Sequence, residues 1–440
     1  MTPDPSFTFD APTNSELEIA RTHVRQGNLA EAERAYRSVA TAQPHQVEAL
    51  RFLANAALSR GDPGEAVALL SRAAQADRTN VGVLLELGVA YRSAQRMDEA
   101  RYVFERAMES SQGRNITARL LLAHTFELDD RSDMALLHYF RAILDAQANG
   151  QWLDDATTEP GLRSLVRHAM QYVAAGRRDR FAGVLEPFRH GINAARIGRI
   201  DAALAIYLRE RTATTSDPRQ RPTFLHLPDP GASCFLGTAS FDWLADWSAR
   251  ASRLDDEARA CVDHAEGPAG FSPFSLESME ISGDGITPSG ETRLASLYQR
   301  GIFQDALRSR APELSGMLDS APLVRITNYA PNASILALQP GAGIPPRCGR
   351  TNAFCMIALA FSGSGPLEVT VGGESRRLQA GESLAFDPGF EFGFTAIGNA
   401  QALALVFEVW NPGISQLERD ALTALTGAVL DFDSQLQNLA

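Results

Sequence analysis

The feature of this sequence that most restricts its fold is a 34-residue period in the first third of the chain. Small residues recur at this spacing at Ala20, Ala54 and Gly88. Small residues let two helices approach closely, and bulky residues at the same spacing fill the gaps beside them. A period of this length predicts stacked helix pairs with a shared core, that is, an α-solenoid. The other two series at this spacing are Ala32, Ala66 and Ala100, and Tyr36, Leu70 and Phe104.

The pattern resembles the tetratricopeptide repeat, with Ala20 and Ala32 at its two small positions. The turns fit as well, because Asp62 before Pro63 is typical of a capped helix start. Three units span Leu17–Ala118, and a fourth follows with one extra residue. That fourth unit is carried by Asp133, Ala135, Tyr139 and Ala142.

The resemblance implies a protein or peptide partner, bound by the first helix of each unit. Guanidinium groups grip carboxylates bidentately, so arginines on these helices predict an acidic peptide. The alternative is that each side chain is a solvated surface residue. The predicted peptide-binding residues are Arg21, Arg25, Arg51, Asn55 and Arg92.

Composition excludes several chemistries. All 41 positive side chains are arginine, so the chain lacks the lysine of P-loops, protein kinases and pyridoxal enzymes. The net charge of −12 disfavours nucleic-acid binding, and no apolar run is long enough for a membrane helix. The opening residues do not resemble a signal peptide, and the four cysteines match no zinc motif. We therefore expect a cytoplasmic protein that binds neither nucleic acid nor membrane.

Strand patterns replace helical ones in the second half. A hairpin is predicted where 368–371 and 374–378 flank Gly372-Gly373. Further strands are expected at 383–386 and 402–410. Many short strands with glycine turns favour a β-sandwich or barrel.

Three segments here resemble the aspartyl/asparaginyl β-hydroxylases. Residues 340–352 look like the segment that opens the family's site, and 380–387 and 409–412 look like its later strands. The likeness covers about half of the chain. It implies a double-stranded β-helix of the jelly-roll or cupin kind, which uses Fe(II) and 2-oxoglutarate to hydroxylate side chains. The expected fold class is therefore α+β multidomain, an α-solenoid followed by this domain.

The expected domain organisation follows from these patterns. It comprises a tail at 1–15, repeats at 16–145, further helices closing the solenoid at 146–211, a linker at 212–221, the β-hydroxylase-like domain with a terminal helix at 222–430, and a tail at 431–440.

The family's site residues are replaced in this chain. The two iron-binding histidines of the family correspond to Arg347 and Phe392, and no histidine follows His264. Arginine stays protonated and phenylalanine has no donor atom, so neither is a ligand. The family's contacts to 2-oxoglutarate fall on apolar residues, which cannot hold a dianion. These positions are Leu336, Met356, Ala358 and Ala402.

Other residues nearby leave alternatives open. Carboxylates and thiols could rebuild a cation site, or they could serve as turn and packing residues. Arg347 is expected to pair with Glu391, to bind a ligand anion, or to be exposed. Thr351 and Asn352 either complete such an anion pocket or hold a turn through backbone hydrogen bonds. The residues that could rebuild a cation site are Asp387, Glu391, Cys348 and Cys355.

The sequence therefore predicts a protein- or peptide-binding scaffold whose β-hydroxylase-like domain has lost its chemistry, with no cofactor and no metal ligand. The alternative is an active dioxygenase that uses Fe(II) and 2-oxoglutarate at a rearranged site, to which His226 or His264 would contribute a ligand. A purely structural role in an assembly is a third possibility.

Overall fold

The computed structural model describes residues 12–190, 196–231, 233–264 and 289–439. The chain folds into two compact units. The first comprises Met1–Gly176 with Gln435–Ala440, and the second comprises Arg177–Ser434.

The first unit is built from consecutive helices. They are α1 (Pro12–Arg25), α2 (Leu29–Ala42), α3 (Val47–Ser59), α4 (Pro63–Ala76), α5 (Val81–Ser93), α6 (Met97–Ser110), α7 (Ile116–Leu128), α8 (Ser132–Ala148) and the first part of α9 (Arg163–Gly183).

The small and bulky residues of the 34-residue period meet in the core of this unit. Ala20, Ala54 and Ala66 have no exposed surface, and neither has the Phe104 ring. A β-carbon on Gly88 would lie 2.4 Å from Phe104 Cε1, so only glycine fits there. The fourth unit packs in the same way, with Tyr139 fully buried. The expected α-solenoid is confirmed.

The turns between helices also follow the period. Asp62 Oδ1 accepts a hydrogen bond from the Glu65 amide at 2.9 Å, as expected for a cap before a proline. Gly27, Gly61 and Gln95 stand at equivalent positions and have φ values of +76°, +78° and +59°. Glycine suits this left-handed conformation, which ends the first helix of each unit.

The second unit combines helices with β-strands. Its helices are the end of α9, α10 (Gly198–Tyr207), α11 (Leu244–Ala251), α12 (Asp255–His264), α13 (Asp305–Arg308), α14 (Pro312–Ser320) and most of α15 (Gln416–Gln437). Its strands are β1 (Phe235–Leu236), β2 (Thr292–Gln299), β3 (Ile302–Phe303), β4 (Ala333–Leu338), β5 (Gly343–Cys348), β6 (Phe354–Ala360), β7 (Leu367–Val371), β8 (Glu374–Leu378), β9 (Ser383–Phe386), β10 (Glu391–Ala396) and β11 (Ala402–Trp410).

The strands form two antiparallel sheets. One has the order β1-β9-β6-β11-β4-β2-β3 and the other the order β5-β10-β7-β8. The hairpin expected around Gly372-Gly373 joins β7 to β8, with Val371 opposite Glu374. The predicted α+β architecture, helical repeats followed by a β-domain, is confirmed.

The side chains of β11 alternate between two separate hydrophobic cores. Ala402, Ala404 and Val406 belong to the inner core, which contains side chains from both sheets. Leu405 and Phe407 belong to the outer core, where α11, α12 and α14 pack against the seven-stranded sheet. Because successive side chains point to opposite faces, one strand serves both cores.

Two helices extend into the tails expected at 1–15 and 431–440. Helix α1 already begins at Pro12, and α15 runs to Gln437 because Phe432 and Leu436 continue its buried face. The expected linker at 212–221 contains no helix or strand, but its Gln220 is buried in the second unit.

Candidate functional site

The two residues predicted to stand at the family's iron positions meet in the four-stranded sheet. Arg347 in β5 and Phe392 in β10 are direct cross-strand partners. The guanidinium carbon of Arg347 lies 5.9 Å from the centre of the Phe392 ring. The structure thus brings together two positions that are far apart in the sequence.

Phe392 is part of the inner core. Its side chain is 1% exposed, and its ring centre lies 5.3 Å from that of Phe386 and 6.1 Å from that of Phe394. A ring packed among other rings contributes apolar contacts and no donor atom. This position does not fit a metal ligand.

Arg347 is half-buried at the end of β5. Burial lowers the pKa of its guanidinium to about 9, so the group remains a cation at neutral pH. A protonated guanidinium has no lone pair to give to a metal ion. The residues at both predicted iron positions therefore do not fit Fe(II).

The positions expected to hold 2-oxoglutarate lie in the same inner core, on β4, β6 and β11. All four side chains are apolar and at most 1% exposed. A buried dianion needs hydrogen bonds and opposite charge, which these side chains cannot provide. The lining does not fit the co-substrate. These residues are Leu336, Met356, Ala358 and Ala402.

The other residues predicted as a possible cation site lie in different environments. Cys355 belongs to the outer core, on the far face of β6. Glu391 is exposed, and its cross-strand partner is the half-buried Cys348. Asp387 is fully buried and accepts hydrogen bonds from the Gly389 amide at 2.7 Å and from Gln220 Nε2 at 2.5 Å. Burial raises the pKa of Asp387 to about 7.

Thr351 and Asn352 hold the chain together locally. Thr351 Oγ1 accepts a hydrogen bond from the Ala353 amide at 3.1 Å. Asn352 bonds both backbone groups of Leu227 at 2.8 Å, and its Nδ2 also donates to Gln220 Oε1 at 3.2 Å. These contacts agree with the turn alternative, because they occupy the polar atoms that an anion pocket would need.

The two histidines of the dioxygenase alternative lie apart. His264 is exposed at the end of α12, which covers the outer face of the seven-stranded sheet. His226 is buried next to Leu225, which bridges to Thr351, and burial lowers the pKa of its imidazole. Across the ranges that the structure describes, no group of three or more His, Cys, Asp or Glu side chains could hold a metal ion.

The predicted peptide-binding arginines of the first unit are engaged within the chain. Arg21 donates two hydrogen bonds to the Glu48 carboxylate, at 2.9 and 2.6 Å. Arg51 donates two to the Glu86 carboxylate, at 2.9 and 2.5 Å. Both pairs join the first helices of neighbouring units. These two arginines therefore link neighbouring repeats. The sequence had offered only peptide binding or a solvated surface position for them.

The other members of this set differ from one another. Arg25 pairs with Glu18 at 3.1 Å, and Asn55 is exposed. Arg92 Nη1 lies 2.9 Å from His124 Nδ1, and burial lowers the pKa of Arg92.

The sequence patterns did not predict the buried carboxyl group of Glu408. Glu408 is 8% exposed in β11 and accepts a hydrogen bond from Asn332 Nδ2 at 2.8 Å. Burial raises the pKa of Glu408 to about 7. A lone carboxylate in the otherwise apolar run 402–410 was the signal that could have revealed it.

Models of known families match both parts of the chain. Residues 17–81 and 57–125 match tetratricopeptide-repeat models, and residues 253–412 match the model "Aspartyl/Asparaginyl beta-hydroxylase". The chain thus carries tetratricopeptide repeats in its N-terminal part and an aspartyl/asparaginyl β-hydroxylase domain in its C-terminal part.

Curated relatives match part of the chain. "Aspartate beta-hydroxylase domain-containing protein 1" of Bos taurus is 28% identical over 213 residues, which is 46% of this chain and 54% of that protein. The Mus musculus protein of that name is 29% identical over 213 residues, with 46% and 55% covered. The chain spans about half the length of the curated relatives it matches.

Solved structures resemble the repeats. "MamA MSR-1 C2" is 22% identical, with a TM-score of 0.29, over 32% of this chain and 82% of that one. "First TPR of Spaghetti (RPAP3) bound to HSP90 peptide SRMEEVD" is 21% identical, with a TM-score of 0.25, over 26% and 91%.

Proposed function

We propose that this chain is a cytoplasmic scaffold that binds a protein or peptide, and that its β-hydroxylase domain is a catalytically degenerate relative of the Fe(II)/2-oxoglutarate dioxygenases. The observation that carries the proposal is the cross-strand pairing of Arg347 with Phe392. It stands beside an apolar inner core at every expected co-substrate position. On this proposal the two facing sheets are the family's double-stranded β-helix without its chemistry.

Further observations support the individual parts. All four cysteines are free thiols, which suits a reducing compartment. No helix among the described residues is long and apolar enough to cross a membrane. Tetratricopeptide repeats present extended surfaces suited to peptides.

An acidic ligand suits the first helices of the repeats. Arg21 and Arg51 already hold carboxylates in bidentate geometry. Both pairs are partly exposed, and exposed pairs contribute only about 0–1 kcal/mol. A peptide carboxylate could therefore replace Glu48 or Glu86 at small cost.

Anaerobic calorimetry with Mn(II) and 2-oxoglutarate, followed by a succinate assay with Fe(II), tests the loss of chemistry. We expect no binding heat and no succinate. The matched variant Arg347→His with Phe392→His restores both imidazoles and should gain metal affinity if the positions are assigned correctly. Near-stoichiometric metal and succinate formation by the unaltered protein would overturn the proposal.

Peptide binding is tested separately, with an acidic peptide library and the full chain. Arg51→Glu with Arg92→Glu should abolish capture and leave helical content intact. The charge-matched control is Arg34→Glu with Arg106→Glu, on the second helices α2 and α6. Equal capture by both double variants would contradict the proposed surface.

One observation favours the second candidate, a dioxygenase with a rearranged site. His226 is 7% exposed, and its Nε2 has no hydrogen-bond partner among the described residues. It lies one residue from Leu225, which bridges to the segment that opens the family's site. Metal binding that disappears in His226→Gln would favour this candidate.

A further inference from the structure

Arg350 occupies an unusual position in the loop after β5. Its guanidinium carbon lies 3.9 Å from the centre of the Tyr329 ring and 5.5 Å from that of Phe224. Within the part of the chain that the structure describes, the side chain forms no ion pair and donates no hydrogen bond. Its Nε atom is shielded from solvent without an acceptor there. An unsatisfied buried donor costs about 1–3 kcal/mol, so an acceptor arriving there is stabilising.

Two carboxyl groups lie close to Arg350 without pairing with it. Glu408 is held by Asn332, and Asp433 lies on α15. The positive charge of Arg350 lowers the pKa of both, but burial outweighs it and raises them to about 7 and about 6. Glu408 is therefore partly protonated near neutral pH, and the positive charge of Arg350 is incompletely compensated.

Some other guanidinium groups of this unit have a carboxylate partner or are exposed to solvent. Arg199 grips Glu418 at 2.9 Å through both Nε and Nη2. Arg376 also stacks on a ring, with its guanidinium carbon 4.3 Å from the centre of Phe235, but it is exposed to solvent. Arg350 differs from both because it is half-buried and holds no carboxylate among the described residues.

The rings around Arg350 extend beyond its immediate neighbours. The ring centres of Phe224 and Tyr329 are 5.8 Å apart, and those of Phe224 and Tyr207 are 5.7 Å apart. Phe224, which contacts the Arg350 guanidinium, and its neighbour Tyr207 are both half-buried, so this row of rings presents some apolar surface. Aromatic rings in this arrangement favour a ligand with an apolar or aromatic body.

We propose that Arg350 anchors a binding site for a small carboxylate with an aromatic or apolar body. A carboxylate matches the planar fork of the guanidinium and can bind it through two hydrogen bonds. A phosphate dianion fits less well, because Glu408 and Asp433 would repel its second charge. The site uses neither Arg347 nor Phe392. Ligand binding at this site therefore does not depend on whether the domain has catalytic activity.

Calorimetric titration of the full chain with benzoate, benzamide and inorganic phosphate tests the site. We expect saturable benzoate binding and at least tenfold weaker binding of the neutral benzamide and of phosphate. Arg350→Gln should weaken benzoate binding at least tenfold. Arg350→Lys keeps the charge without the fork, and should weaken benzoate binding several-fold.

Arg376→Gln is the matched control, because it removes a ring-stacked guanidinium from the surface of the same domain. It should bind benzoate like the unaltered protein. No benzoate binding to the unaltered protein, or equal binding by Arg350→Gln, would overturn the site. Phosphate binding tighter than benzoate would overturn the carboxylate class. If Arg350→Gln does not fold, unchanged affinity in Arg350→Lys would contradict the proposal.

Discussion

Gly88 and Phe104 are complementary in size within the third repeat. The ring of Phe104 lies so close to Gly88 that an added β-carbon would meet Cε1 at 2.4 Å and Cζ at 2.5 Å. In the second repeat the equivalent residues are Ala54 and Leu70. A larger first residue thus accompanies a smaller second one in the second repeat. The first repeat instead pairs Ala20 with the bulky Tyr36, so this size exchange is confined to the second and third repeats.

Gly88→Ala should destabilise the protein by about 1–3 kcal/mol, because the buried ring has little room to move. Adding Phe104→Leu should recover most of this loss, since the double variant reproduces the pair found in the second repeat. Urea unfolding followed by circular dichroism measures both effects. Additive losses in the double variant would disprove the compensation.

Gln95→Gly should stabilise the same unit by about 1 kcal/mol. Gln95 has a φ of +59°, whereas glycines stand at the equivalent positions 27 and 61. A side chain in this conformation costs roughly 1 kcal/mol, which glycine avoids. The unfolding midpoint of the variant checks the prediction. An unchanged or lower midpoint would mean that the Gln95 side chain makes compensating contacts.

Phe392→Ala should cost about 3–5 kcal/mol, the usual loss for a buried phenylalanine. Glu391→Ala, at the neighbouring exposed position, should change stability by less than about 0.5 kcal/mol. Denaturant unfolding of the two variants gives the comparison. A loss below about 1 kcal/mol for Phe392→Ala would indicate that the ring does not fill the core.

Stability should fall as the pH rises through the range of the buried carboxyls. Burial raises the pKa of Glu408 from 4.5 to about 7, so the folded state holds a proton that the unfolded state releases between these values. The contribution of Glu408 to stability is therefore highest below pH 4.5, declines up to about pH 7 and then levels off. The change attributable to Glu408 is roughly 3 kcal/mol.

Glu408→Gln isolates this contribution, because an amide oxygen still accepts the Asn332 hydrogen bond but does not titrate. The difference in unfolding free energy between this variant and the unaltered protein should grow from about pH 5 to about pH 8. A pH-independent difference for Glu408→Gln would refute the raised pKa.

Much of the fold could be predicted from local patterns. The 34-residue spacing of Ala20, Ala54 and Gly88 predicted the repeats, and Gly372-Gly373 predicted a hairpin. These signals involve residues near one another or repeated at a fixed step. They report on backbone geometry, which periodicity and turn residues largely determine.

The candidate site could be predicted only in part. The motif resemblance predicted that Arg347 and Phe392 stand at the family's two iron positions, but their direct pairing depends on strand register. The group around Arg350 and Glu408 escaped prediction because its members come from distant loops and strands. The pairing of Arg21 with Glu48 escaped it because helix rotation decides which side chains face each other.

The inner core described above has a consequence for the evolution of this domain. If the iron chemistry has been lost as proposed, the folded state depends on hydrocarbon packing around Phe392 and Phe394 and on no bound metal ion. Selection would act on the volume of its interior rather than on donor atoms, so exchanges among leucine, methionine and phenylalanine should accumulate there as the lineage diverges.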